Sequence, residues 1–362
     1  MENVLHILGH LYQGGAETYT LRYINFDKDN KHYILCRFGE TGPLEAEFAK
    51  HAVIIKNIKF GYFGGNIIRF IKFLKKERIT AVWSPSENIP FLLTYFLRIN
   101  KRILFYRTSS PYWGNDPWGI KKGYHYILRK LCAYSATMIL SNSKTAFERF
   151  HPSYKKRPDR YQVIYNGVPS DAISTITKQQ IRNNLQINDE SFVIGHSGRY
   201  DKAKNHEMII KVAIELCKKH KDITFILLGL DVDKRYQSIV DENNLSKQIR
   251  LLGYRKDAKD ILKSFDLFYF PSIIEGQPNA LIEAMVSGIP FLASNISPIK
   301  ECVPEEFIPQ LICPNDYDQN INTLEKLYLN RELLNSYKCE KWAVDHYNAE
   351  RQFQLFKDVI EA

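Results

Sequence analysis

Short apolar runs alternate with helix-like patterns along nearly the whole chain, and they do so in two separate series. Residues 3–9 form an apolar run ending at Gly9. Gln13-Gly14-Gly15-Ala16-Glu17 follows, then a helical pattern through Tyr23. Further strand candidates lie at 33–37, 53–55, 81–84, 103–106, 138–141 and 162–165, with helical patterns between several of them, notably at 65–77 and 121–134. The second series begins near residue 192. Its strand candidates are 192–197, 224–228, 249–252, 267–270 and 290–293, and its helical patterns are 204–219, 232–243, 257–264 and 279–287. Strands that alternate with helices need crossover connections, so the pattern predicts α/β architecture with parallel sheets covered by helices. Two series predict two doubly wound, Rossmann-like domains facing a central cleft. The polar stretch 166–172 reads as the hinge. In such open sheets, ligands sit beyond the carboxyl ends of the strands. Functional residues are therefore expected just after strands.

Length agrees: 362 residues correspond to about two domains at roughly 100–200 residues each. The six cysteines include no C-x-x-C pair and sit mostly in apolar runs, so they read as buried free thiols rather than a disulfide or metal framework. The first residues lack a basic segment followed by a long apolar core, so no secretory signal is expected. The longest apolar stretch, 89–97, is far short of the roughly 20 residues that span a bilayer. A cytoplasmic protein is expected, with scope for peripheral contact on the inner face of the plasma membrane. Charge is unevenly distributed. Residues 1–170 hold 26 Lys and Arg against 12 Asp and Glu, a net of +14; residues 171–362 hold 24 against 28, a net of −4. That asymmetry suggests an anionic partner for the first half: nucleic acid, anionic lipid or a pyrophosphate-bearing substrate.

Two segments carry candidate chemistry. Glu275-Gly-Gln-Pro-Asn-Ala-Leu-Ile-Glu283 follows the 267–270 strand candidate. Asn279 is expected to cap a new helix, leaving the amides of Ala280 and Leu281 as an anion site strengthened by the helix dipole. Glu275 and Glu283 would flank that site, where sugar hydroxyls are suitable partners for the carboxylates. The alternative is a helix with acidic residues near its start for dipole reasons alone. Ser197-Gly-Arg199-Tyr-Asp-Lys-Ala-Lys204-Asn205 follows the first strand of the second series. Arg199 can fork two hydrogen bonds to phosphate oxygens and Lys204 adds a point charge. Together they can stabilise charge on a departing diphosphate; the alternative is a solvated basic loop. Gly14-Gly15 would let backbone amides close over phosphates, or form an ordinary tight turn. There is no G-x-G-x-x-G, H-E-x-x-H or G-x-S-x-G. Asp231 and Asp233 read as the start of a polar helix rather than a metal pair. A glycosidase pairing of Glu275 with Glu283 suits their placement around a helix start less well than donor binding does.

These segments together resemble the retaining glycosyltransferases of family 4, which have the GT-B fold. The E-x7-E signature is matched by Glu275 and Glu283 within residues 271–290, the Gly-Arg…Lys pair by Gly198-Arg199 and Lys204, and the early Gly-Gly turn by Gly14-Gly15. Tyr165-Asn-Gly-Val168 resembles the segment leading into the interdomain link, and Leu252-Gly253-Tyr254 the loop that meets the nucleotide base. The resemblance covers nearly the whole chain, most strongly 190–300. It implies that Arg199 and Lys204 hold the diphosphate, helped by Gly15 and the amides of Ala280 and Leu281. Glu283 would bind the ribose and Glu275 the transferred sugar. It also implies retention, no bound metal, no cofactor and no protein nucleophile. One departure stands out. Many relatives place a His after the fourth strand of the first domain, where this chain reads Phe105-Tyr-Arg107-Thr108-Ser109. Arg107, with Thr108 beside it, either meets an acceptor phosphate or is structural. The resemblance further implies an N-terminal acceptor domain over 1–170, joined by a C-terminal helix over about 345–362, and a nucleotide-sugar domain over 171–344.

The expected activity is transfer of a hexose-type sugar from a UDP-sugar, or less so a GDP-sugar, to a glycan on a polyprenyl diphosphate lipid, in cell-surface polysaccharide biosynthesis. Lys72, Lys75, Lys76 and Arg78, beside apolar residues of 67–74, suit contact with an anionic membrane; the alternative is core on one side and solvated charge on the other. Arg102, Lys121, Lys122, Arg129 and Lys130 form a second basic set. A different class of function is a non-catalytic GT-B-like subunit that binds glycan or stabilises a partner. Nucleic-acid binding is not expected, because no reading motif accompanies the basic half.

Overall fold

The computed structural model describes all residues except 13, 62–64, 108–119 and 170–172, and of 120–122 only the backbone. Among the described residues, twelve strands form two sheets. The first contains β1 (Asn3–Leu8), β2 (Lys31–Cys36), β3 (Ala52–Ile55), β4 (Ala81–Ser84), β5 (Lys101–Tyr106), β6 (Met138–Ser141) and β7 (Tyr161–Val163) in the order β3-β2-β1-β4-β5-β6-β7. The second contains β8 (Phe192–Ser197), β9 (Ile223–Leu228), β10 (Ile249–Leu251), β11 (Leu267–Phe270) and β12 (Phe291–Ala293) in the order β10-β9-β8-β11-β12. Every ladder is parallel. In each sheet the order reverses once, at β1/β4 and at β8/β11, which makes those pairs the topological switch points.

The chain divides into two compact units: Met1–Asn166 with Glu350–Ala362, and Gly167–Ala349. All six residues of β9, Ile-Thr-Phe-Ile-Leu-Leu, are buried. A strand covered on both faces requires such a run, and alternation would leave polar groups in the core. β8 interrupts its apolar run with Gly195 because the Phe265 ring lies against that backbone and occupies the space of a side chain. All six cysteines are free, and five of them are buried. Among the described residues no helix is long and apolar enough to cross a membrane.

The core of unit 1 contains a one-way chain of hydrogen bonds. The Trp83 indole N–H donates to His6 Nδ1. His6 Nε2 must then carry a proton and donates to His32 Nδ1 at 3.0 Å, and His32 Nε2 donates to the Asp27 carbonyl at 3.1 Å. Asp27 also accepts from Tyr23 Oη at 2.8 Å and Asn30 Nδ2 at 3.0 Å. Burial alone would raise the Asp27 carboxyl, but these hydrogen bonds and the nearby Lys357 hold it below its usual range. Lys357 belongs to the helix Ala349–Glu361, which buries Phe356 against Tyr23, Trp83 and Phe105. The last segment of chain thus completes the first core.

Two expected elements differ in detail. The helix expected over 204–219 begins at His206. Lys202–Lys204 forms a 3-10 turn capped by Asp201, and Asn205 adopts a left-handed φ of 59°. Asn205 Nδ2 donates to the carbonyls of Pro271 and Pro314, and these tertiary bonds hold the break. The C-terminal helix expected over about 345–362 is the helix Ala349–Glu361, preceded by a 3-10 turn, Arg331–Tyr337, and a short helix, Glu340–His346.

Candidate active site

In unit 2 the predicted residues lie at the carboxyl edge of the second sheet. Arg199 and Lys204 follow β8, Glu275 follows β11, and these two strands are direct neighbours at the switch point, with Leu267 opposite Ile194. The Ile273 amide donates to the Ala203 carbonyl at 2.8 Å and ties the two loops together. The result is an ion pair: Lys204 Nζ stands 2.6 Å from Glu275 Oε1, with side chains 22% and 7% exposed. Lys204 Nζ also lies 5.1 Å from the centre of the Phe270 ring. Partial burial and an aromatic face weaken solvent screening of this pair. Arg199 is apart from it. Its guanidinium is three-quarters exposed, with Asp201 at 3.7 Å.

The helix after Glu275 is Asn279–Val286. Here the capping expectation is corrected. Pro278 occupies the cap position without a side-chain bond, and Asn279 is the first helical residue, its amide donating to the Gln277 carbonyl at 2.9 Å. A prolyl ring fixes φ near its helical value and removes a donor that would otherwise need a partner. Asn279 therefore enters the helix instead of capping it. The anion-site expectation does not depend on that cap. The amides of Ala280 and Leu281 make no hydrogen bond among the described residues. They are the unpaired donors that a helix start leaves. Asn279 and Glu283, one turn apart, are exposed.

Gly253 and Tyr254 follow β10, and Tyr254 is exposed. They are coupled to the Arg199 loop by a residue that sequence reasoning missed, Gly229. Its amide donates to the Gly253 carbonyl at 2.8 Å, its φ is +153°, and a side chain there would collide with the Gly198 carbonyl. Only glycine suits that backbone and that approach. A lone Gly after a strand was the one available signal. His196 was also missed. It is fully buried, donates from Nδ1 to the Tyr269 carbonyl at 3.0 Å, and leaves Nε2 beneath Gly198 without a partner among the described residues. Burial, with His206 and Lys204 nearby, holds its imidazole well below the usual range and therefore neutral. A His inside the apolar run Phe192-Val-Ile-Gly-His-Ser197 was the signal. Asp231 stands at the cap position of the helix Val232–Glu242 but forms an ion pair with Lys234 at 2.7 Å instead of a cap bond.

In unit 1, Gly14 precedes the helix Gly15–Phe26, which starts just beyond β1. Space for a side chain at Gly15 is open, whereas one at Gly14 would meet the Glu17 carboxylate. Arg107 follows β5. Its guanidinium lies 3.5 Å from the Tyr19 ring centre and 4.8 Å from that of Phe105, and it donates to Asn166. Nε and Nη1 are buried without a partner among the described residues. Desolvation lowers this group to about 10, so it stays charged at neutral pH. Tyr19 lies in the helix that begins at Gly15, so unit 1 brings Arg107 and the Gly14-Gly15 turn to one edge of its sheet. Thr108 lies outside the described residues.

Two parallel α/β units of seven and five strands, with loops converging at their switch points, are the two halves of a GT-B fold. The Anabaena protein HepE, solved in complex with UDP-glucose, has this fold at a TM-score of 0.76 and 16% identity over the whole of both chains. The model for glycosyltransferase family 4 matches residues 13–172 and that for glycosyl transferases group 1 matches 177–341. The chain is 30% identical over 306 residues to the capsular polysaccharide biosynthesis glycosyltransferase CapH of Staphylococcus aureus, covering 82% of each. It is 32% identical over 210 residues to the UDP-Gal:alpha-D-GlcNAc-diphosphoundecaprenol alpha-1,3-galactosyltransferase of Escherichia coli, covering 56% of this chain and 54% of the relative. The chain belongs to the family 4 glycosyltransferases.

Proposed function

We propose that this glycosyltransferase moves a hexose-type sugar from a nucleotide sugar, with UDP favoured over GDP, to a glycan carried on a polyprenyl diphosphate lipid, in the biosynthesis of a cell-surface polysaccharide. Transfer proceeds with retention and without a bound metal. The observation that carries the reading is the Lys204–Glu275 pair at the β8/β11 switch point, followed in the chain by the unpaired amides of Ala280 and Leu281. When the donor binds, Lys204 and Arg199 take the diphosphate oxygens and stabilise the charge left on them as the glycosidic bond breaks. Glu275 is released to hydroxyls of the transferred sugar, Glu283 takes the ribose, and the Gly253-Tyr254 loop meets the base. In unit 1, Arg107 meets an acceptor phosphate. The UDP preference and the lipid-linked acceptor rest on the named activity of the Escherichia coli relative and on the UDP-glucose bound by HepE.

The test has two stages. A thermal-shift screen over UDP, GDP, ADP and their sugars should give a rise in Tm for one nucleotide class, since a ligand that binds only the folded state stabilises it. That nucleotide sugar, radiolabelled, should then label a lipid extract, with the donor's anomeric configuration kept in the product and the rate unchanged by EDTA. Loss of activity in EDTA that Mn²⁺ restores would overturn the metal-free part. Absence of any nucleotide-sugar binding or turnover would leave the non-catalytic reading standing.

A further inference from the structure

The backbone that carries Arg199 is fixed on one side and unpaired on the other. The amides of Gly198 and Tyr200 donate to the carbonyls of Leu228 and Leu230 at 2.8 and 2.9 Å, which continues the β8–β9 ladder past Ser197. In an extended chain, successive backbone groups point to opposite edges. The Arg199 amide between them therefore points toward the other edge of β8, where β11 is the neighbour. That amide makes no hydrogen bond among the described residues.

Two contacts hold the peptide group that bears it. Gly229 lies against the whole unit: a side chain there would stand 1.9 Å from the Gly198 carbonyl oxygen, 2.5 Å from its carbon and 2.9 Å from the Arg199 nitrogen. The carbonyl oxygen itself accepts from His206 Nε2 at 3.2 Å. His206 opens the helix His206–Lys219 and is 1% exposed. Burial lowers its imidazole, so it stays neutral, and the carbonyl partner places its proton on Nε2. The ring is wedged in turn, with His196 edge-on at 5.1 Å and Tyr236 stacked at 6.3 Å. A peptide group is planar and trans, so its C=O and N–H point in opposite directions. A carbonyl anchored on a buried ring therefore aims the Arg199 N–H away from that ring, toward the side on which Lys204 and Glu275 meet.

We infer that the Arg199 main-chain amide is a donor to the diphosphate, separate from the Arg199 guanidinium, and that His206 is the residue that positions it. An unpaired N–H beside a cation suits a phosphate oxygen, and the resulting bond is charge-assisted. The exposed guanidinium must be ordered when the ligand arrives, whereas the amide is already held. The inference rests on the nucleotide-sugar reading above and adds to it a main-chain contact and the side chain that sets it.

Isothermal titration with UDP, and with GDP in turn, tests it on the full chain and on His206→Phe, Arg199→Ala and the double variant. Phenylalanine keeps a ring and loses the donor, so His206→Phe should weaken nucleotide binding about tenfold. His206→Gln, which keeps an N–H, should recover part of that loss. Arg199→Ala retains the amide, so adding His206→Phe to it should cost about the same factor again. Unchanged affinity in His206→Phe overturns the inference, as does a loss that vanishes in the Arg199→Ala background; with binding by the parent chain, both leave the nucleotide-sugar reading intact. Failure of the parent to bind either nucleotide overturns both. A second measurement needs no change at 206. With isotope-labelled arginine, the Arg199 amide resonance, identified by its absence from Arg199→Ala, should move downfield when the parent is saturated with nucleotide. A resonance that stays in place overturns the inference even where His206→Phe does not fold.

Discussion

Lys204 and Glu275 stand 71 residues apart in the chain and 2.6 Å apart in space. Each was legible separately as a residue following a strand; their contact was not, because it depends on β8 and β11 being neighbours. The pair has a testable consequence. In the ligand-free chain a carboxylate occupies the cation proposed to hold the leaving phosphate, so nucleotide and Glu275 compete for Lys204. Glu275→Gln should bind UDP as tightly as the parent or more tightly, while kcat for transfer falls; isothermal titration paired with kinetics reads both. A parallel fall in UDP affinity would place Glu275 on the nucleotide instead. Lys204→Ala should cost about 2–4 kcal/mol of transition-state stabilisation, a loss of roughly 30- to 900-fold in kcat/KM. Near-parental kcat/KM would remove Lys204 from the mechanism. Asn279 teaches the limit of residue-level reading. Its type favours a cap, but Pro278 stands at that position without a side-chain acceptor and Asn279 is already helical, so chain context outweighs propensity.

Among elements, strands were easier to read than helix boundaries. Apolar runs such as Phe192–Ser197 and Leu267–Phe270 are short and bounded, whereas the start at His206 depends on Asn205 reaching the carbonyls of Pro271 and Pro314. Gly229 was illegible for a similar reason: its necessity comes from Gly198, a neighbour only across the β8–β9 ladder. Gly229→Ala should displace the Gly198-Arg199 backbone and weaken nucleotide binding, measured as a smaller ligand-induced Tm rise, with wild-type far-ultraviolet dichroism. The helix Ala349–Glu361 makes a stability prediction. Phe356 is fully buried among aromatic rings, so Phe356→Ala should destabilise unit 1 by about 3–5 kcal/mol. Denaturant unfolding should detect it as an earlier transition for that unit, and a change below about 1 kcal/mol would mean the helix contributes little to that core.

At the scale of the whole molecule, several buried or partly buried histidines are uncharged. His6 and His196 are held well below their usual range by burial, and His151 down to about 4 by burial with Arg129, Lys130 and Arg160 nearby. The folded value lies below the unfolded one, so the unfolded chain takes up the proton first. Stability is complete above the unfolded value near 6.5 and falls as pH drops from there through about 4. For His151 alone the loss is on the order of 3 kcal/mol at the acid end. A Tm-versus-pH profile should decline below pH about 6.5, and His151→Gln should flatten part of that limb. A flat profile down to pH about 4 would contradict the buried neutral assignment.

The return of the chain to unit 1 at Glu350 also bears on how the protein is made. Domains ordinarily fold in the order they leave the ribosome. Here Glu350–Ala362, which belongs to the first unit, is synthesised after every residue of the second. Unit 2 can close while its predecessor still lacks Phe353 and Phe356, leaving Tyr23, Trp83 and Phe105 uncovered in the interval. The first domain begun is the last one finished, and a growing chain passes through a stage in which its earliest core is exposed to the wrong partners.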